Sequence, residues 1–188
     1  MELLPVVAST GWACGLNAYL VLFGLGLMGR LTGADAVPDI LTRTDVLVVS
    51  GVLLAVEIVV DKVAYVDTAW DGLQTLVRPL VGGGLAILMH EQPRETELLL
   101  ATVGAAAALA SHAVKAGIRV LVNSSPGPAG TWTLSSAEDL LVVVVVLLGA
   151  SYPWWALGVS MTFFGLGVTV LVIALVHAVR RGRTSRVD

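Results

Sequence analysis

The sequence predicts an all-α protein, a polytopic membrane helix bundle of about six helical segments. Three observations predict it. Of 188 residues, 56% are hydrophobic and only 13% charged, against about 25% charged in an ordinary soluble domain. Mean hydropathy is +0.88. Apolar stretches near the ~20 residues needed to cross hydrocarbon recur along the chain. A soluble globule, a disordered chain and a coiled coil fit this composition poorly. Eleven basic against fourteen acidic residues leave a net charge of −3, so no basic excess exists to hold a nucleic acid. A single cysteine, Cys14, permits neither an intrachain disulfide nor a thiolate metal cage, and no cofactor is expected.

Residues 1–188 read as one integral-membrane domain. The first span runs over about 5–29, with Gly11 and Gly15 four apart on one face, where a neighbouring helix can approach closely. Arg30 to Arg43 is a polar connection containing Asp35, Pro38 and Asp39. Thr44 is placed to cap a second span over about 45–66. A third stretch, about 73–89, is interrupted by Arg78-Pro79 and Gly82-Gly83-Gly84. It reads as a full span, a broken helix or a re-entrant segment. His90 to Glu97 is a charged turn. The fourth helix covers about 95–122, and Asn123-Ser124-Ser125-Pro126-Gly127-Pro128 ends it. Ser135 with Glu138, or Ser136 with Asp139, fits a capping box before a fifth span beginning near Leu140. A sixth span over about 154–179 precedes Arg180, Arg181, Arg183 and Arg186.

Six crossings put both termini on one side. The basic tail, 180–188, assigns that side to the cytoplasm and contact with anionic membrane lipids. The opening Thr44-Asp45-Val46-Leu47-Val48-Val49 echoes Glu138-Asp139-Leu140-Leu141-Val142-Val143, which admits two inverted three-helix halves. Trp12, Trp70, Trp132, Trp154 and Trp155 fall near proposed span ends, as an interfacial belt would.

The informative residues are charges inside apolar stretches. Lipid-facing charge at mid-span costs about 2.5–3.5 kcal/mol, so such residues belong inside the bundle or in a cavity. Glu57 and Asp61 share a helical face, and Lys62 points elsewhere. His112, Lys115, Arg119 and Asn123 fall on one face of the fourth helix. The simplest pairing sets Glu57 and Asp61 against Lys115 and Arg119, with Asp67, Asp71, Arg78, Glu138 and Asp139 on the same side. Asp45, Asp67, Asp71, Glu138 and Asp139 also suit helix starts. His112 is a candidate proton relay or a packed, hydrogen-bonded histidine; Arg78-Pro79 reads as a kink or a functional cation. The whole cluster is either a salt-bridged knot fixing helix register or a polar cavity for a proton, an ion or a small anionic solute. Phosphate-loop, nucleophile-elbow, HExxH and CxxC motifs are absent, and the carboxylate spacing specifies no metal shell.

The ordered landmarks Glu57-x-x-x-Asp61-Lys62, Asp67, Arg78-Pro79, His112-x-x-Lys115-x-x-x-Arg119-x-x-x-Asn123 and Ser136-x-Glu138-Asp139, with Gly15-Leu16-Asn17-Ala18-Tyr19, resemble an uncharacterised bacterial integral-membrane family, domain-of-unknown-function family 4126. The resemblance covers about residues 11–153. It implies a multi-pass bacterial envelope protein and carries no substrate. The family's usual proline-glycine turn after the Asp-Lys pair is replaced by Ala64-Tyr65, so the second helix is expected to continue farther toward Asp67.

Together these features predict a transporter of the bacterial cytoplasmic (inner) membrane, with a charged cavity on the inner side. An ion channel, a structural or accessory membrane protein and a lipid-modifying enzyme are the alternatives. Gly-rich faces also suit a homo-oligomer.

Overall fold

The computed structural model describes residues 3–34, 37–63, 65–89, 93–123 and 129–184, with backbone alone for 129 and 179–184. Asp35, Ala64, His90, the segment from Ser124 to Pro128, Arg186 and the side chains of Arg180, Arg181 and Arg183 lie outside that description. The described residues form seven helices and no strand: α1 (Leu3–Thr32), α2 (Asp39–Thr42), α3 (Thr44–Val60), α4 (Val66–Leu88), α5 (Arg94–Asn123), α6 (Ala129–Ser151) and α7 (Pro153–Thr184). Setting aside the single turn of α2, six helices remain, as expected.

Four of them, α1, α5, α6 and α7, are long and apolar enough to cross a membrane, and the protein is an integral-membrane bundle. The other two fail that criterion for different reasons. At 17 residues, α3 is about 26 Å long at 1.5 Å per residue, a little short of the hydrocarbon core. With 23 residues α4 is long enough but carries Asp67, Asp71 and Arg78. It is one continuous helix through Arg78-Pro79 and the three glycines, so the broken and re-entrant readings fall away.

Several boundaries differ from those read off the sequence. Arg43, not Thr44, is the N-cap of α3. That helix stops at Val60, well before Asp67, and Tyr65 turns the chain in the left-handed region at φ 71° before α4 begins. The positive φ thus falls after α3 has ended, at the residue that precedes α4, where the family's proline-glycine turn is absent. The start of α6 lies at Ala129, so Ser135, Ser136, Glu138 and Asp139 sit inside a helix and form no capping box. The same residue types serve here as a polar face inside a helix, in contact with its neighbours. For the same reason the run from Glu138 lies inside α6, whereas Thr44 opens α3.

At the centre lies α1, touching every other helix. Small residues make that possible. A Cβ on Gly11 would strike the Gly104 backbone of α5, and one on Gly15 would strike Ser111 and the Ala108 carbonyl; Gly82 of α4 meets Gly104 in the same way. These glycines are therefore consumed within the bundle. The apolar core follows α1 through Trp12, Cys14, Leu16, Val21 and Leu25 to Val142 and Val145 of α6. Trp12, only 3% exposed, packs in this core and not at an interface, whereas Trp132, Trp154 and Trp155 are exposed.

Candidate functional site

Halfway along α1 the helix breaks. Asn17 has φ −153° and ψ 95°, extended backbone between two helical segments. A break at this depth frees carbonyls that lipid cannot satisfy. Neighbouring helices supply the donors: Arg78 Nη1 donates to the Gly15 carbonyl at 2.9 Å and Lys115 Nζ to that of Leu16, while one turn earlier Ser111 Oγ donates to the Trp12 carbonyl at 2.7 Å. The second segment is capped by Asn17 itself, whose Oδ1 accepts the Leu20 N–H at 2.9 Å, the usual N-cap geometry.

Around this break the charges form one buried network. On α4, Asp67, Asp71, Gln74 and Arg78 follow four-three-four spacing on one buried face. On α5, His112, Lys115, Arg119 and Asn123 follow three-four-four spacing on one buried face, and these two faces meet in an antiparallel hairpin. The C-terminal end of α3 adds Glu57 and Asp61, and α6 adds Glu138. Arg78 lies 2.6 Å from Glu57 and 3.3 Å from Asp71. Lys115 reaches Asp61 at 3.1 Å, Glu138 at 3.6 Å and Glu57 at 3.9 Å. Arg119 is held by Asp61 at 2.7 Å and Glu138 at 2.8 Å, with Asp67 at 3.6 Å and Asp71 at 3.8 Å. Asn123 Nδ2 donates to Asp67 at 2.8 Å and closes the network at its end.

Ten of the twelve residues singled out from sequence are brought together in this way. Two stand apart. Lys62 turns its ammonium to the Ile58 carbonyl at the exposed surface, one residue out of phase with Asp61. Asp139 accepts from Asn17 Nδ2 at 2.9 Å and so holds the break in α1 rather than a cation. The expected pairing is also amended: Glu57 binds Arg78 first, and Lys115 is its more distant partner. Asp67 serves both at the start of α4, accepting the Thr68 N–H at 2.6 Å, and in the network.

His112 is fixed by its partners. Arg78 Nη1 lies 2.6 Å from Nδ1, and a guanidinium only donates. Nδ1 is therefore the acceptor, and Nε2 carries the hydrogen toward the Asp71 carbonyl or Thr75 Oγ1, both at 3.0 Å. This histidine is a neutral spacer locked against a cation, and the relay reading is set aside.

The network has a direction. From Arg78 to Asp67 along α4 is about 16 Å at 1.5 Å per residue, so it forms a column from the middle of α1 to one end of the bundle. It also holds five carboxylates (Glu57, Asp61, Asp67, Asp71 and Glu138) against three cations (Arg78, Lys115 and Arg119). Glu57 Oε2, Asp61 Oδ1 and Gln74 Oε1 are buried with no hydrogen-bond partner among the described residues. No three His, Cys, Asp or Glu side chains among the described residues converge closely enough to hold a metal ion.

Sequence reasoning missed the roles of Asn17, Tyr19 and Gln74, the last donating to the Tyr19 hydroxyl at 3.0 Å. An asparagine and a tyrosine after Gly15 in an otherwise apolar span were the available signal.

The family described as a domain of unknown function (DUF4126) matches residues 4–173, and the chain belongs to it. Neither a curated relative nor a solved structure matches.

Proposed function

We propose that this member of the DUF4126 family is a cytoplasmic-membrane transporter whose buried charge column exchanges protons against a cation. The surplus of carboxylates over cations beside a broken helix carries the reading. Buried membrane charges mark ion and proton pathways, and interrupted helices build binding sites near the midplane of many transporters. Two uncompensated negative charges in low dielectric are costly, so the column is completed by bound protons or by a positive ligand. An anionic solute, admitted by the sequence alone, would add to the surplus and is disfavoured.

Glu57 is the coupling group. One of its oxygens binds Arg78 and the other is unpartnered, so protonation would weaken one pair without removing every partner of Arg78. The test is purified protein in liposomes with a trapped pH indicator, under imposed gradients of sodium, potassium and quaternary ammonium ions. At least one gradient should move the interior pH, and Glu57→Gln should abolish that response. No response from correctly inserted wild-type protein to any of the three would overturn the proposal.

One observation favours a second reading, a scaffold in which the network only fixes helix register. Each of the three cations touches at least two carboxylates. A scaffold predicts that Glu57→Gln lowers the unfolding temperature while neither protein moves protons.

A further inference from the structure

A cleft of about 330 Å³ lies between α1, α5, α6 and α7, within the range of small-molecule sites. Its walls are apolar, including Trp12, Leu141, Phe163 and Phe164, and two members of the charge column, Lys115 and Glu138, complete the lining. We propose that this cleft binds a lipophilic organic cation, a protonated or quaternary amine carrying an aromatic or branched apolar body. The inference rests on the transport reading and names its substrate class.

Four features select that ligand. Glu138 is the most open carboxylate of the column: its side chain is 10% exposed, against 3% or less for the other four. Arg119 and Lys115 both meet its Oε2, and Oε1 makes no hydrogen bond among the described residues. The ammonium of Lys115 is already held by the Leu16 carbonyl and by Asp61 at 3.1 Å, so Glu138 is the wall charge with spare capacity. The apolar and aromatic lining suits a hydrophobic body, and aromatic faces attract cations. The acid-rich column behind the wall repels an anion. Ala137 and Phe163 are exposed at the edge of the cleft, so it opens toward lipid, where such cations partition.

The experiment measures binding of benzyltrimethylammonium to the full chain in detergent by calorimetry, with benzenesulfonate as the anion of similar size. Wild-type protein should bind the cation and not the anion. Loss of the charged partner in Glu138→Gln should weaken binding by about tenfold or more. Ala137→Phe, which narrows the cleft and leaves every charge in place, should also reduce it, and serves if Glu138→Gln does not fold. Equal cation affinity in both variants, or preference for benzenesulfonate, would overturn the assignment. Cation binding without any gradient-driven pH change would leave the site standing and remove the transport reading. A pH response to inorganic cations without benzyltrimethylammonium binding would do the reverse.

Discussion

The two most instructive helices are α1 and α7. Both are long and apolar, yet 72% of the most apolar window of α1 is buried inside the bundle, against 11% for α7. Hydropathy alone ranks them the wrong way round, because α7 is the more apolar of the two. In a bilayer the outer surface is as apolar as the core, so hydrophobicity reports contact with lipid or protein alike. What distinguishes the central helix is its small and polar residues: Gly11 and Gly15, which admit α5, and Asn17, which breaks the ladder. The outer helix buries little beyond Ala156 and Ser160.

That contrast can be broken at several points, and thermal unfolding in detergent reads each one. The largest effect is expected for Arg78→Met, which strips donors from Glu57 and the Gly15 carbonyl; breaking a buried pair costs about 3–5 kcal/mol. An unchanged unfolding temperature would mean the column is not an energetic unit. Gly104→Val should follow, at about 1–3 kcal/mol, because its Cβ meets the Gly82 backbone rather than a yielding side chain. Asn17→Ala removes the cap on Leu20 and the bond to Asp139 and should cost about 1–2 kcal/mol. If Asn17→Ala instead stabilises the protein, the break is imposed by neighbouring helices and opposed by the residue itself. On the outer side, Leu175→Ala at a 66% exposed position should stay within about 0.5 kcal/mol.

The smallest effect lies outside the four spans. Arg43, beside Asp45 at 2.7 Å, donates a hydrogen bond that holds the Asp45 carboxyl below its ordinary value. The stability this contributes is present above the unfolded-state value and lost as pH falls through the lower folded one. Both groups are solvated, so the difference in unfolding temperature between wild type and Asp45→Asn should be slight at neutral pH and vanish in acid.

Much of the charge column was legible from spacing. Glu57 with Asp61, and His112 through Asn123, repeat at helical intervals, and the cost of charge against lipid says where they must point. Pairing was less legible, because Arg78 sits beside a proline that reads as a kink, and its bond to Glu57 joins two helices, α3 and α4, that share little surface. Asn17 in an apolar span signals a polar role, but not a break, since a single asparagine satisfies any helix template. The false helix start at Ser135 arose because the capping pattern and a buried acidic face use the same residue types. Lys62 shows the reverse case, a charge beside the column whose phase excludes it.

Neighbouring acids on α6 hold two different things. Glu138 grips Arg119, and the next residue, Asp139, grips Asn17. Consecutive side chains on a helix diverge by about 100°, so this pair works as a single lever with two catches. One helix therefore anchors both the broken segment of α1 and the cation at the foot of the ion network.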